Sequence, residues 1–351
     1  MSVNEEQLNL FLGKMVNELG AAATGALVML GDRLGLYKAI SEAGPLTAAE
    51  IANHTGTSER YVREWAACQA ASGYINYDGE SDRFSMSPEQ KLVLSDENSP
   101  FLMTGGYFSV ASLYADEPRL EAAFRSGSGI AWSDHNACLF CGTAKFFRPG
   151  YQANLISAWL PALDGVVEKL KRGAKVADVG CGFGSSTIIM AKAFPESEFI
   201  GFDIHEESIR HAREEAEKLK VQNVTFQLGA AKSYPGKGYD LVTFFDCLHD
   251  MGDPQGAARH VLSTLNDDGS WMVVEPFAND SLHENLNPVG RVYYAFSTAV
   301  CVPASLSQES GAALGAQAGE KRLREVIMGG GFSRFRRATQ TPFNLILEAR
   351  P

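Results

Sequence analysis

Apolar residues recur every three or four positions in the first part of the chain and form short continuous runs in the last part. The helical spacing in residues 5–42 predicts two helices, broken near Gly20. From about residue 174, apolar runs of strand length alternate with amphipathic segments of helix length. The pattern therefore predicts a mainly helical first half and an α/β second half.

Two short helical segments between residues 46 and 73 are separated by a Thr-Gly-Thr turn. Thr47 opens the first with a capping box that includes Glu50, and Ser58 is the predicted N-cap of the second. Two short helices joined by a glycine-containing turn are typical of a helix-turn-helix. We therefore expect the chain to carry this motif ahead of its α/β half.

Residues 74–94 contain two short alternating runs around an Asp-Gly pair, which predict a two-stranded wing. Residues 1–95 are thus predicted to form a helical, winged-helix domain. Residues 96–160, rich in aromatics and glycine, are predicted to be linking helices that contribute to a substrate pocket. The remaining domain, 161–351, is expected to carry an insertion at 276–318.

The second half predicts seven strands and four helices. Five β–α alternations followed by two closing strands favour an α/β fold, a parallel, doubly wound sheet with helices on both faces. The predicted strands are 174–179, 198–202, 224–228, 239–245, 270–275, 334–338 and 343–348. The predicted helices are 185–193, 207–219, 255–265 and 319–328.

Composition adds a charge argument. The chain of 351 residues is 45% hydrophobic and 21% charged, which excludes a disordered protein, and its formal net charge is −11. Seven basic and 14 acidic residues give the first 100 positions a net charge of −7, which disfavours nucleic acid and anionic membranes as partners.

The longest nearly apolar run has 12 residues, whereas a membrane span needs about 20. With no secretory signal visible, we expect a cytoplasmic protein whose six cysteines are free thiols.

A glycine-rich loop carries the strongest chemical signal. An apolar strand ends at Asp178, glycines follow at Gly180, Gly182 and Gly184, and a helix begins at Ser185. Glycine is needed where a ligand approaches the backbone closely, and ligands of open α/β sheets bind at the carboxyl ends of the strands. The nicotinamide fingerprint would require glycine at position 185, so this loop departs from it.

The ends of the next two strands extend the candidate site. Asp203 ends the second strand, where a carboxylate can accept hydrogen bonds from two ribose hydroxyls, although it could instead cap the helix that follows. Gly229 and Ala230 follow the third strand. These positions meet the glycine loop at one edge of the predicted sheet.

The D-x-G-x-G-x-G loop resembles motif I of class I S-adenosylmethionine-dependent methyltransferases, and the preceding winged helix resembles that of bacterial small-molecule O-methyltransferases. The resemblance implies a Rossmann-like seven-stranded sheet, S-adenosyl-L-methionine as cofactor, and a homodimer formed through the N-terminal domain. Ala230 replaces an acid that is frequent in the family, so backbone and a small apolar wall would have to hold the adenine. The implied cofactor-binding residues are Asp178, Gly180, Cys181, Gly182, Gly184, Asp203, Ile204, Gly229, Ala230, Phe245, Asp246 and Tyr151.

The same resemblance implies the catalytic residues. The segment after strand four carries a His-Asp-aromatic triplet in the family, and here it is His249-Asp250-Met251, without the aromatic residue. His249 is expected to act as general base and Glu275, at the end of strand five, to orient it. The structural alternatives are a helix cap or core hydrogen bond for His249 and a loop cap for Glu275.

Five further residues are predicted to line the acceptor pocket: Trp132, His135, Phe147, Tyr294 and Phe296. For the two on the insertion, Tyr294 and Phe296, plain core packing is the alternative. Glu320 is a further candidate acid. His135 precedes a single Cys-x-x-Cys pair, Cys138 and Cys141. A structural zinc site needs four ligands and no second pair is present, so no metal is expected.

The sequence therefore favours methyl transfer from S-adenosylmethionine to a small molecule, with oxygen as the favoured acceptor atom. One alternative keeps the cofactor pocket for sensing or for other chemistry. A second alternative is a DNA-binding regulator, but on the recognition helix Arg60 and Arg63 are offset by Glu59 and Glu64. No nucleic acid or membrane partner is expected.

Overall fold

The computed structural model describes residues 3–351, which divide into two compact units. The first unit comprises the residues up to Ser112 together with Cys141–Pro149. The second comprises Leu113–Phe140 and Gly150–Pro351 and contains the large sheet. No single helix in the described residues is long and apolar enough to cross a membrane, although α1 and α2 (defined below), bent by 63°, together meet the length and composition criteria.

The first unit is helical with one small hairpin. Its elements are α1 (Glu5–Arg33), α2 (Leu36–Ala43), α3 (Ala48–Thr55), α4 (Glu59–Ala71), β1 (Asn76–Asp78), β2 (Arg83–Ser85), α5 (Pro88–Leu94) and α6 (Thr104–Ala115, with its last three residues in the second unit). The predicted capping box is present, because Thr47 Oγ1 accepts from Glu50 N at 3.2 Å and Thr47 N donates to Glu50 Oε2 at 2.8 Å. Helices α3 and α4 with the antiparallel pair β1–β2 confirm the winged helix.

Two local predictions for this unit are wrong. The wing ends at Ser85 and the chain then forms α5, because Ser87 caps a helix that has Pro88 in its first turn. Helix α1 also continues through Gly20, since one glycine in an exposed helix interior costs only about 1 kcal/mol relative to alanine. The break comes instead at Gly35, whose φ of 69° is left-handed.

Helix α1 approaches the recognition helix α4 closely at Gly31. A Cβ at this position would lie 2.6 Å from Cζ2 of Trp65 and 2.7 Å from Cε2 of Tyr37. Both rings are buried in the core of the unit and contact each other edge to face at 5.1 Å. Only a residue without a side chain therefore fits between α1 and these rings.

We expect Gly31→Ala and Gly13→Ala, on the same helix, to change stability in opposite directions. Gly31→Ala should lower the free energy of unfolding by about 1–3 kcal/mol because the added methyl group overpacks the core. Gly13→Ala meets open space and should raise it by roughly 0.5–1 kcal/mol. Urea unfolding followed by circular dichroism measures both, and a Gly31→Ala protein as stable as the Gly13→Ala protein would contradict the close approach.

The second unit alternates strands and helices. Its helices are α7 (Glu117–Ser126), α8 (Ala137–Asn154, partly in the first unit), α9 (Val166–Arg172), α10 (Ser185–Ala193), α11 (Glu206–Lys218), α12 (Pro254–Thr264), α13 (Pro288–Phe296), α14 (Val302–Leu306) and α15 (Gly319–Gly329). Its strands are β3 (Lys175–Val179), β4 (Glu198–Asp203), β5 (Val224–Leu228), β6 (Tyr239–Phe245), β7 (Leu265–Pro276), β8 (Arg334–Gln340) and β9 (Asn344–Arg350).

These strands form one seven-stranded sheet in the order β5-β4-β3-β6-β7-β9-β8, which confirms the predicted fold class. The first five strands pair in parallel, but β9 runs antiparallel to both neighbours, so the sheet is not purely parallel as expected. The reason is the short connection between β8 and β9, which can only form a hairpin. Strand order reverses direction between β3 and β6, and ligand crevices of open α/β sheets form at such a point.

Candidate functional site

The glycine loop after β3 lies at this switch point. Gly180 has φ of 75° and a Cβ there would lie 2.7 Å from Cys247 Sγ, so the loop packs tightly against the segment after β6. Gly182 has φ of 52°, and nothing lies within 4 Å of where its Cβ would be. A side chain at Gly182 would therefore occupy open space beside the loop, where a ligand could contact the backbone.

Asp178 anchors the loop from inside the sheet. Its carboxylate accepts hydrogen bonds from Ser186 Oγ at 2.8 Å, Thr187 Oγ1 at 2.6 Å and Thr243 Oγ1 at 2.9 Å. Burial raises the pKa of Asp178 to about 6, against the opposing effect of these hydroxyls. The three partners tie β3 to α10 and β6, so Asp178 supports the glycine loop from within.

Asp203 reaches the glycine loop from the end of β4. Its Oδ2 accepts from Gly182 N at 2.9 Å and its Oδ1 from His205 N at 2.9 Å. Each carboxylate oxygen retains a lone pair for a further donor, because an ionised carboxylate has about four acceptor sites. Burial raises the pKa of Asp203. Helix α11 begins after His205, so Asp203 is not its N-cap.

Apolar side chains border Asp203 at the sheet edge. Ile204, the next residue in the chain, is 57% exposed. Leu228 of β5, which pairs with Asp203 in the sheet, is 52% exposed. Gly229 N donates to Asp203 O at 3.0 Å, and the carbonyl of Ala230 begins a turn by accepting from Tyr234 N. An apolar surface lined by backbone therefore lies at this edge of the sheet.

Asp246 follows β6 in a left-handed conformation with φ of 51°. Asn344 Nδ2 donates to its Oδ1 at 3.0 Å, and the buried Tyr151 hydroxyl donates to its Oδ2 at 3.3 Å. Burial, with the charge of Glu275 as the next cause, raises the pKa of Asp246 to about 8. Phe245 lies beside it and contacts the Tyr151 ring at 5.2 Å. A cation bound at this edge would favour the ionised form of Asp246.

His249 and Glu275 meet in the interior, as the resemblance implied. His249 Nδ1 lies 2.5 Å from Glu275 Oε2, and the other carboxylate oxygen accepts from Leu248 N at 3.0 Å. Both side chains are buried. Because Glu275 holds Nδ1, the nitrogen left for chemistry is Nε2, which lies 3.2 Å from Asp250 Oδ1.

The charge state of His249 depends on these acids. Burial lowers the pKa of His249, but the charges of Asp250 and Glu275 outweigh burial and hold the pKa well above its ordinary value. A positively charged ligand nearby would lower this pKa again, since two cations repel each other. The pKa of His249 therefore depends on the charge of the ligand that binds beside it.

Two of the predicted pocket residues, Trp132 and His135, lie within a cluster of aromatic rings in the second unit. The rings of Trp132 and His135 are 6.3 Å apart, and Trp132 contacts Phe140 at 5.6 Å. Phe140 in turn stacks on His205 at 4.3 Å, two residues beyond Asp203. His135 Nδ1 also bonds the buried Asp116 at 3.0 Å, so this histidine is paired with a carboxylate rather than with the nearby thiols.

The other four candidates are three predicted pocket residues and one acid. Phe147 belongs to the first unit, where its ring is 5.2 Å from that of Phe146. Tyr294 and Phe296 are half-buried on α13. Glu320 forms an ion pair with Arg337 of β8, which gives it a structural role.

Sequence reasoning missed two residues that lie beside Asp246 and His249. Asn344, at the start of β9, binds Asp246, and Cys301 lies beside His249 and Asp250. Cys301 lies in the predicted insertion, and Asn344 lies in a strand predicted for its apolar character. No local pattern marks either residue, because each gains its neighbours through the order of the strands and the path of the insertion.

Comparisons with known proteins agree with this architecture. Residues 170–322 match the family described as "Methyltransferase domain", and residues 22–96 match the "Rv2258c-like winged HTH domain". Part of the second half of the chain is therefore similar to a methyltransferase domain, and part of the first half is similar to a winged helix-turn-helix domain.

Curated relatives match parts of the chain. An uncharacterized methyltransferase, YcgJ of Bacillus subtilis, is 30% identical over 122 residues, covering 34% of this chain and 47% of that protein. The 27-O-demethylrifamycin SV methyltransferase of Amycolatopsis mediterranei is 28% identical over 169 residues, covering 46% of this chain and 57% of that protein. The chain thus spans about half the length of these curated relatives.

Solved structures match nearly the whole chain in fold. Human N-acetylserotonin methyltransferase, in complex with SAM, has a TM-score of 0.72 at 17% identity and covers 100% of this chain and 99% of its own. The mitomycin 7-O-methyltransferase MmcR has a TM-score of 0.67 at 18% identity, covering 99% and 100%. PigF, solved with SAH, has a TM-score of 0.67 at 18% identity and covers 100% of both chains. At these identities the likeness establishes the class I methyltransferase fold with its winged-helix domain.

Proposed function

We propose that this protein is an S-adenosylmethionine-dependent methyltransferase that acts on a small-molecule acceptor, with oxygen as the methylated atom. The observation that carries the proposal is the set of acids around the glycine loop: Asp178, Asp203, Asp246, Asp250 and Glu275. Carboxylates concentrated at one sheet edge suit a cationic ligand and repel the phosphates of a dinucleotide.

The residues of the loop fit this cofactor. Asp203 has lone pairs for the ribose hydroxyls, and the open space at Gly182 leaves room for a ligand against the backbone. Ile204 and Leu228 would offer an apolar surface to the adenine, and Asp246, held by Tyr151 and Asn344, would face the cationic part of the cofactor. When bound, S-adenosylmethionine supplies a methyl group already activated on a sulfonium sulfur.

His249 would accept the proton of the acceptor hydroxyl at Nε2. Glu275 holds the ring through Nδ1 and stabilises the imidazolium that forms, as does Asp250 beside Nε2. Their burial strengthens this electrostatic effect because little water screens it. The relatives named above as O-methyltransferases support oxygen as the acceptor atom.

Isothermal titration calorimetry of the full chain with S-adenosylmethionine and S-adenosylhomocysteine tests the cofactor, with NAD as the contrasting ligand. A panel of phenols, amines and carboxylates with radiolabelled cofactor then tests the acceptor class. Binding of NAD in place of the adenosyl ligands would refute the proposal. Adenosyl binding without turnover on the panel would favour the alternative of a sensing protein.

The assembly we propose is a homodimer formed through the N-terminal helix. Along its first twenty residues α1 exposes a series of large apolar side chains, namely Leu8, Leu10, Phe11, Leu12, Met15, Val16 and Leu19. Contiguous apolar surface of this kind marks an interaction site. A second copy of the helix offers the same apolar face and would cover it.

Charge on the winged helix disfavours DNA as the partner instead. Arg60 pairs with Glu64 at 2.6 Å, and Arg63 lies within 3.6 Å of Glu59 and 3.5 Å of Asp82. Both cations of the recognition helix thus face carboxylates. With the net charge of −7 over the first 100 residues, few positive charges remain for phosphates.

We expect the double variant Phe11→Glu/Met15→Glu to be monomeric where the wild type is dimeric. Two carboxylates in an apolar interface would lose their hydration without gaining partners. Sedimentation velocity measures the change, and Lys14→Glu, which reverses a charge on the same helix outside the apolar series, is the control. A double variant that sediments like the wild type would exclude this helix as the interface.

A further inference from the structure

A group of metal-ligating side chains lies on the side of the His249 ring away from Glu275. One ligand atom each from His249, Asp250 and Cys301 lies within 4.8 Å of the other two. His249 and Cys301 are buried, and the Asp250 side chain is 18% exposed. The insertion after β7 brings Cys301 to the segment after β6, so the group is assembled by the fold.

Two independent features indicate that this group binds a cation. The first is the buried Asp250 Oδ1, which makes no hydrogen bond of good geometry to any residue between 3 and 351 and faces His249 Nε2 at 3.2 Å as an ion pair. A bound cation would give this buried carboxylate oxygen a direct partner. Glu275 also binds His249 at Nδ1, and metal-binding histidines are usually held in this way by a second carboxylate.

We propose that His249, Asp250 and Cys301 bind one zinc ion and that this ion inhibits the enzyme by occupying His249 Nε2. Imidazole nitrogen, thiolate sulfur and carboxylate oxygen are the ligands that zinc takes, and three protein ligands leave a fourth position for water. Magnesium and calcium prefer oxygen alone, so the nitrogen and sulfur select against them. The inhibition rests on the proposed function, in which His249 is the base, whereas the binding does not.

The chemistry of binding balances without a redox step. Zinc forms bonds to Nε2, to the Asp250 carboxylate and to Cys301 Sγ, and any protons on the imidazole Nε2 and the thiol are released to solvent. While the ion is bound, Nε2 has no lone pair to accept the proton of an acceptor hydroxyl. Chelation of the ion returns the nitrogen, so the inhibition is reversible.

Cobalt(II) tests the site without any turnover. The full chain, stripped with a chelator and titrated with cobalt, should bind one equivalent with the near-ultraviolet absorption of a cobalt–thiolate bond, and zinc should remove that absorption. Cys301→Ser should abolish the band, while Cys68→Ser, in the other unit, should keep it. A wild type without the band, or a Cys301→Ser protein that retains it, overturns the proposal.

Turnover then tests the inhibition. Zinc should stop methyl transfer by the wild type, and chelator should restore the rate. Measured against its own metal-free rate, Cys301→Ser should need at least about tenfold more zinc for inhibition than the wild type, since even outer-shell changes cost 10–100-fold in metal affinity. Full turnover by a zinc-loaded wild type overturns the proposal. Absence of turnover in metal-free wild type refutes the proposed function instead, and the cobalt spectra then decide the metal site.

Discussion

His249→Asn is expected to bind S-adenosylmethionine as the wild type does and to transfer methyl groups about 10²–10⁴-fold more slowly, the usual contribution of a general base. Asparagine can still donate a hydrogen bond to Glu275, so the buried carboxylate keeps a partner. It cannot accept the proton of an acceptor hydroxyl. Single-turnover kinetics at saturating cofactor measure this step separately from binding.

The matched control is His260→Asn, which replaces a half-buried histidine of α12 that bonds a backbone carbonyl. Thermal unfolding of both variants separates a lost base from a damaged fold. If His249→Asn transferred methyl groups at the wild-type rate, His249 would be a core histidine satisfied by Glu275 and Asp250. The base would then have to be sought in another residue.

Asp203→Ala is expected to weaken S-adenosylmethionine binding by at least about 100-fold, because two hydrogen bonds to a charged acceptor contribute about 1.5–3 kcal/mol each. The loss of the bond to Gly182 N acts in the same direction, since it frees the glycine loop. Calorimetry measures the affinity, and the effect should appear in binding even if no acceptor is known.

Glu207→Ala is the control for Asp203→Ala. Glu207 is an exposed acid four residues further along, and it pairs with Arg210 on the helix surface. Its removal should leave the affinity for the adenosyl ligand unchanged. Equal affinities for Asp203→Ala and the wild type would contradict the assignment of Asp203 to the ribose and leave it a purely structural role in the loop.

The proposed zinc site and the proposed base share one nitrogen, which makes them separable by experiment. Loss of His249 removes both functions, whereas loss of Cys301 removes only metal binding. Asp250 has a place in both proposals: it pairs with the imidazolium of His249 during catalysis and binds the metal ion during inhibition. Substitutions of His249 and of Cys301 therefore distinguish catalysis from its inhibition by zinc.

Local patterns predicted most of the elements of this chain. All seven strands overlap the predicted ones, and Thr47 with Glu50 forms the expected capping box. The four predicted helices correspond to α10, α11, α12 and α15, whereas α13 and α14 lie in the insertion, where no helix was predicted. Capping and periodicity depend on residues a few positions apart, so a single sequence is enough to recognise them. The continuity of α1 through Gly20 was missed because the cost of one glycine is small beside what the remaining helix contributes.

Long-range contacts within the site could be anticipated only in part. The meeting of His249 with Glu275 followed from the family resemblance, since both lie at the ends of neighbouring strands. The bond from Tyr151 to Asp246 joins residues of a helix and a distant strand end, and Asn344 reaches the same carboxylate from β9. These contacts depend on how helices and insertions pack on the sheet.

The sequence by itself determined the class of fold, the glycine loop with its acids, and the negative charge that disfavours DNA. Each of these follows from residue type and from spacing over a few positions. Only the tertiary structure decided that Asp178 faces three hydroxyls inside the sheet, that β9 turns back against β7, and that Cys301 stands beside His249. Such contacts form between segments far apart in the chain, where strand order and side-chain packing, not local periodicity, set the distances.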